Sequence, residues 1–324
     1  ICYCEHCRRN FHDATGYDVP LQQDPEDAAW RAYSRWRHDR LLDVARLWDK
    51  AILGTRHSAR YIPNSGGGAL SSLDMKTLAD MLPILIADRQ SRSGIQAPWA
   101  SGKDAKEFRA AFGRKPIGGM FSVGLEERYR WKDSVQSEAE LRIWVADQIA
   151  NGMRPWFTKF AGKIWDDRWL SVVEDIYTWH AQYDTYWRAR DPMATVGVVY
   201  SQQTASIYGS SAHERAEAPI LGVYQALIES RTPFEMVHDR LMDSEHLAPL
   251  QTLILPNTAA LSDEQCDQVR DFVARGGGLV ATLETSLYDA KGRRRRSFGL
   301  ADVFGVDPAG DSPTVEGPLK NGYL

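Results

Sequence analysis

Along the first 190 residues, apolar positions repeat with two alternating periods. Residues 25–53 carry Trp30, Tyr33, Trp36, Leu41, Val44, Leu47 and Trp48 at helical spacing, with charges between them, which predicts a long helix. A strand-like run, 58–63, ends in Asn64 and a Ser-Gly-Gly-Gly turn. A short helix over 73–82 leads to a buried-type strand, 83–87, which ends in Asp88-Arg89-Gln90. The same unit recurs: helix 103–112, then strand 116–123 ending in Glu126-Glu127. Helix 137–151 and strand 153–158 follow, then an aromatic helix over 166–190. Strand and helix thus alternate four times, with polar residues just past each strand. That is the layout of a (β/α)8 TIM barrel, whose active site lies at the carboxyl ends of its strands. Eight strands are needed to close such a barrel, and four leave open edges. The fold class is therefore read as α/β: the C-terminal half of a barrel over 1–190, in a chain that starts at Ile1 and is expected to be a piece of a longer protein.

A second pattern begins near Asp191-Pro192. Strands are expected at 195–200, 234–237, 252–256 and 279–282, and helices at 218–229 and 262–274. The second helix opens with Ser262 and carries Gln265 three residues on, a capping-box signature. Four short apolar strands separated by helices predict a doubly wound, flavodoxin-like sheet over 191–306. Residues 307–324 read as the irregular start of a further, truncated segment.

Composition adds three points. Hydrophobic residues are 43% and charged residues 25%, ordinary for a globular protein, and a net charge of −4 argues against nucleic acid or an anionic membrane as partner. No apolar run approaches the length of a membrane span. Three of the four cysteines, Cys2, Cys4 and Cys7, fall in the first seven residues. Thiolates so close suit a tetrahedral metal better than a disulfide, with structural zinc the expected occupant and a fourth ligand upstream of residue 1. The bland alternative is a reduced, metal-free loop.

The candidate chemistry sits at the strand ends. Glu126 and Glu127 follow the third strand, where a barrel carries its catalytic groups, with Trp131 beside them. Adjacent residues on an extended chain point in opposite directions, so one of the two faces the pocket and they are not themselves a nucleophile–acid pair. Asn64, Asp88, Arg89 and Arg92 are placed to hold sugar hydroxyls at two other strand ends. Taken singly, Asn64 is also explained by turn chemistry and Asp88-Arg89 by a local ion pair. In the second unit, nucleophilic amidotransferase chemistry is rejected: the turn after 279–282 has no cysteine, and Cys266 falls mid-helix. The run Arg293–Arg296 reads as a solvated loop.

These stretches resemble a known family. Cys2-Tyr-Cys-Glu-His-Cys7 with Phe11 is similar to the zinc loop of the glycoside hydrolase family 42 β-galactosidases. Arg60-Tyr-Ile-Pro-Asn64 through Asp88 is similar to that family's middle barrel strands. Residues 192–306 resemble its trimerisation domain, which has a degenerate class I amidotransferase-like fold; this part, with stretches such as Gly276 to Ser286 and Phe298-Gly-Leu-Ala-Asp302, is the most specific of the resemblance. The resemblance implies a retaining glycosidase acting on a carbohydrate. Its nucleophile is Glu126 or Glu127, its general acid and fourth zinc cysteine lie upstream, and it assembles as a homotrimer through the second unit. The segments Arg89–Arg92 and Glu126–Lys132 depart from ordinary β-galactosidases and look closer to the hypothetical glycosyl hydrolase 6 group. A non-catalytic carbohydrate-binding or assembly protein on the same scaffold is the alternative.

Overall fold

The computed structural model describes residues 2–24, 26–89, 96–124, 134–159, 165–188 and 191–309. In chain order the elements of the first half are α1 (Glu5–Thr15), α2 (Ala28–Thr55), β1 (Asn64–Ser65), α3 (Met75–Met81), β2 (Leu85–Arg89), α4 (Ala100–Phe112), β3 (Ile117–Ser122), α5 (Glu138–Ala150), β4 (Arg154–Thr158), α6 (Arg168–Gln182) and α7 (Asp184–Trp187). The second half contains β5 (Val196–Tyr200), α8 (Gln202–Tyr208), a π-helical turn (His213–Glu217), α9 (Ala218–Glu229), β6 (Phe234–His238), α10 (Ser244–Leu247), β7 (Thr252–Leu255), α11 (Asp263–Ala274), β8 (Gly278–Ala281) and α12 (Ala301–Phe304). Among the described residues, no helix is long and apolar enough to cross a membrane.

The strands form two parallel sheets, β1-β2-β3-β4 and β6-β5-β7-β8. The first winds outward strand by strand, as in a barrel wall, and among the described residues α3, α4, α5 and α6 pack on one face. Leu85, Ala87, Ile117 and Met153 meet Leu78 and Leu82 at α3 and Phe108 and Phe112 of α4. Farther along, Phe121 and Val123 meet Leu141 and Val145 of α5 and Val172 and Ile176 of α6. The other face carries Asn64, Ile86, Asp88, Gly118, Met120 and Trp156, by strand alternation and register. Gly118 belongs there because a Cβ on it would stand 2.6 Å from Ile86 Cδ1.

The second sheet is covered on both faces. Val198, Tyr200, Met236 and Ile254 pack beneath α8 and α9, while Val199, Val237, Leu253 and Leu255 pack against α11. Val198, Val199 and Tyr200 are each 0% exposed, which explains the unbroken apolar run of β5: a parallel strand buried on both faces has no polar side to show.

The two halves share a core rather than merely touching. Trp99 and Ala110 pack into the second sheet's cluster, and so does Ala69 from the loop after β1. Tyr200 donates from its hydroxyl to the Glu107 carbonyl (2.9 Å) across the junction. Lys106 donates to the Phe234 carbonyl and the Glu235 carboxylate, which also pairs with Arg109. Gln202 Oε1 accepts from the Met75 backbone N–H (2.9 Å), and its Nε2 donates to the Leu73 carbonyl (2.9 Å).

Several expected elements shift. The strand expected over 58–63 pairs only at Asn64–Ser65, past the proline, whose missing N–H cannot join a ladder. Helix 166–190 breaks at Tyr183 into α6 and α7. In α2 the apolar stripe divides: Trp30 and Tyr33 are buried, whereas Leu47 and Trp48 stand on the surface, because Leu42 and Ala45 face the core instead. The expected capping box of Ser262 with Gln265 forms, and the structure adds a second, Ser137 with Glu140.

Candidate functional site

The carboxyl ends of β1 and β2 bring two of the candidate side chains together. Asn64 pairs in register with Ile86, so Asp88 is its diagonal neighbour two residues on, on the same face. Asn64 Nδ2 donates to Asp88 Oδ2. This hydrogen bond orients both groups at the carboxyl ends of the two strands.

Both line a cavity of about 470 Å³ with Ser71, Ser72, Leu73 and, from the second half of the chain, Glu217. The floor turns through Gly67, whose φ is +66°. A side chain there would be strained by the backbone and would run into the ring of Phe108. Ser65 Oγ accepts from the Gly67 N–H (3.2 Å) and lies 3.3 Å from Ser71 Oγ, closing the turn on itself. The far wall is held by Gln202, which fixes the backbone at Leu73 and Met75, and by the ion pair of Arg240 with Asp74 (2.5 Å). The cavity therefore depends on both halves.

Arg89 is the last residue of β2. Arg92, Glu126, Glu127 and Trp131 lie outside the described residues. Flanking the glutamates, Gly124 and Val135 form an antiparallel bridge, and Gln136 Nε2 donates to the Ser122 carbonyl (2.7 Å). The described residues on either side of 125–133 are thus joined to each other at the carboxyl end of β3.

Two residues of this region were not singled out from sequence. Trp156 shares a row with Asp88 and Met120 across β2, β3 and β4. It is 45% exposed and presents an aromatic surface about 10 Å from Asp88, two strand spacings away. Its signal was the alternation of β4, in which Trp156 and Phe157 face opposite ways. Glu217 carried no sequence signal, since only the fold brings it to β1.

The cysteines occupy the entry to α1. Cys4 is the N-cap, Cys7 lies in the first turn, and the three sulfurs lie within 4.8 Å of one another, with Cys2 and Cys4 at 3.4 Å. Thiolates on one tetrahedral zinc, each about 2.3 Å from the metal, sit about 3.8 Å apart, so the donor set fits three of zinc's four positions. Hydrogen bonds that the Cys7 thiol donates to the Cys2 and Cys4 sulfurs push it up to about 12, while the Cys7 N–H lowers the thiol of Cys4. Phe11 fixes α1 against α2, edge-on to Tyr33 (5.5 Å) and Trp36 (5.4 Å).

Cys266 is 1% exposed within α11, and burial pushes its thiol up to about 11, the opposite of an activated nucleophile. Arg293 and Arg295 pair with Asp289 and Asp263.

No family model matches the sequence, and no curated protein does. Solved structures do share its fold. The β-galactosidase from Bacillus circulans sp. alkalophilus superposes with a TM-score of 0.79 at 15% identity, covering 94% of this chain and 53% of that one. A catalytic mutant of a GH42 β-galactosidase from G. stearothermophilus gives 0.73 at 13%, covering 95% and 54%. An exo-carrageenase GH42 from Bacteroides ovatus gives 0.63 at 12%, covering 86% and 42%. The chain spans about half the length of the β-galactosidases it matches, and over that span it has the α/β fold, with parallel sheets, of the family 42 β-galactosidases.

Proposed function

We propose that this chain supplies the C-terminal part of a retaining glycoside hydrolase acting on β-galactoside-like or related glycans. The observation that carries the proposal is the cavity at the carboxyl ends of β1 and β2, where Asn64 and Asp88 are hydrogen-bonded on the face of the first sheet opposite its helices. The likeness in fold to family 42 β-galactosidases supports the same reading. Residues 1–190 then form half of a barrel. Residues 191–306 form a doubly wound, flavodoxin-like unit, consistent with their β6-β5-β7-β8 order, and mediate assembly as a homotrimer.

In this mechanism a carboxylate oxygen of Glu126 or Glu127 attacks the anomeric carbon while the bond from that carbon to the leaving oxygen breaks. The leaving oxygen takes a proton from a general acid outside this chain, and water later releases the sugar by the reverse sequence. Asn64 and Asp88, with Arg89, Arg92 and Trp131, hold the sugar's hydroxyl groups. Cys2, Cys4 and Cys7 hold a structural zinc that pins the start of α1, completed by a fourth ligand from elsewhere in the protein. A thiolate-rich zinc of this kind stabilises structure and takes no part in the chemistry.

The test is hydrolysis of an aryl-glycoside panel by the intact protein beside Glu126→Gln and Glu127→Gln. Loss of turnover of about 10³-fold or more in one variant alone identifies the nucleophile. A folded, zinc-loaded protein that turns over no glycoside, yet binds sugars through Asn64, replaces the enzyme reading with that of a binding protein.

A further inference from the structure

The cavity at β1 and β2 has a neighbour. Leu70, Ser71 and Ser72, which line the first, also line a second cavity of about 320 Å³ between α2 and α8. Its α2 wall is made by Trp30, Ser34, Arg37 and His38, the spacing of one helical face, and runs about 12 Å along the helix axis. Ser34 Oγ lies 2.7 Å from Ser206 Oγ and joins that wall to α8. Trp30 is 3% exposed, and among the described residues its indole N–H has no acceptor. The N–H side of the ring turns to Gly209, where a Cβ would stand 3.2 Å from Nε1. Gly209 lines the same cavity, so no side chain at that position stands between the N–H and it.

A buried donor left without an acceptor is costly and rare in native proteins, and an acceptor supplied by a ligand would satisfy this one. The rest of the lining shows what kind of ligand. Ser34, Ser72 and Ser206 offer hydroxyls, which both donate and accept. Burial and the Arg37 charge lower the pKa of His38, so at neutral pH its ring presents one donor and one acceptor. Groups that donate and accept at several points along a wall of this length match a ligand whose own groups do both, and hydroxyls carried on a sugar ring do so. We infer that the second cavity is a subsite for the glycosyl unit next to the one at Asn64 and Asp88, with the Trp30 indole N–H donating to one of its hydroxyl oxygens. The inference rests on the glycosidase reading above and extends it, since it assigns the protein a substrate of at least two sugar units.

The experiment is calorimetric titration of the intact protein, carrying Glu126→Gln and Glu127→Gln so that nothing is hydrolysed, with methyl β-D-galactoside and with β-1,4-linked galactobiose. The disaccharide is expected to bind at least about tenfold tighter, because it alone reaches the second cavity. Trp30→Phe keeps an aromatic ring and removes the N–H. It should cut that advantage at least about fivefold and leave affinity for the methyl galactoside within about twofold. Ser34→Ala should cut it at least about threefold, and it decides the question if Trp30→Phe does not fold. An advantage that survives the deciding variant overturns the inference. So does an equal weakening of both sugars by Trp30→Phe, which would make Trp30 a packing residue of the whole cleft. A disaccharide that binds no tighter than the methyl galactoside overturns the inference and leaves the glycosidase reading standing. Asn64→Ala tests that reading separately: it should weaken both sugars, and a methyl galactoside indifferent to it removes the sugar-cleft assignment and this inference with it.

Discussion

The two sheets are built from the same local unit, yet one is sealed and the other is not. In the second sheet both faces are packed, and its central strand reads Val-Gly-Val-Val-Tyr, apolar throughout. In the first, among the described residues, the helices pack on one face, and the strands turn Asn64, Asp88, Met120 and Trp156 to the other. Parallel sheets are ordinarily buried on both sides, and the face of the first sheet opposite its helices, which carries polar and aromatic groups, is the one on which the site is proposed. The sealed sheet serves as a scaffold, and through Gln202 and Glu217 it also shapes the cleft that the open sheet begins.

Substitution in the sealed sheet should show the largest effect. Val199→Asp puts a carboxylate at a position 0% exposed, among Leu253, Leu255 and Val269. No cation stands in that cluster to pair with it, so a loss above about 4 kcal/mol, enough to unfold a typical domain, is expected in urea titrations followed by circular dichroism. A Val199→Asp protein as stable as wild type would mean that the second sheet is not sealed as described.

The seam between the sheets ranks next. Gln202→Ala leaves the Met75 N–H and the Leu73 carbonyl without their partner, and also removes the contact with His238 Nε2 (3.1 Å). Buried groups left unsatisfied cost about 1–3 kcal/mol each before water relieves them, so a total of about 2–4 kcal/mol is expected from urea unfolding. Because Gln202 fixes the cavity wall, sugar affinity should fall as well, which a purely local packing defect would not cause.

The covered side of the first sheet has its own signature in pH. Burial between α4 and α5 raises the Asp147 carboxyl to about 6, against the Gly102 N–H that donates to it and the nearby Lys106 charge, both of which pull it down. The folded state therefore holds this proton at pH values where the unfolded chain, with an ordinary carboxyl near 3.9, has released it. That contribution to stability is fully present below about pH 4 and is lost as pH rises through about 6, a decline of about 2–3 kcal/mol for a shift of about two units. Asp147→Asn should flatten this slope in stability measured between pH 4 and 7, and an unchanged slope would remove Asp147 as its source.

Much of this arrangement was legible in the sequence, for physical reasons that differ by element. Strand β5 and the capping box Ser262-x-x-Gln265 are local signals that need no tertiary context. The polar residues after each strand gave Asn64 and Asp88, and their contact follows once β1 and β2 pair in parallel. Short elements such as α8, α10 and α12 escaped because four to seven residues carry too little periodicity. Glu217 escaped for a different reason: its partner Lys103 is more than a hundred positions away, and only the docking of α4 against the second sheet places the two together.

The smallest stability effect, and the one that most sharpens the contrast between the sheets, belongs to Trp156→Ala. Removing a wholly buried tryptophan costs about 3–5 kcal/mol, but Trp156 is 45% exposed and stands on the open face, so a loss below about 1.5 kcal/mol is expected. Its ring shares a row with Asp88 and Met120, and an aromatic face offers apolar contact to a sugar ring whose hydroxyls are held by Asn64 and Asp88. Galactose affinity, measured by calorimetry on the intact protein, should therefore fall at least about fivefold, or roughly 1 kcal/mol, while the unfolding midpoint barely moves. A large loss of stability with affinity preserved would reverse the assignment: Trp156 would then be packing against a part of the protein that covers the first sheet as fully as helices cover the second, and the open face would be core.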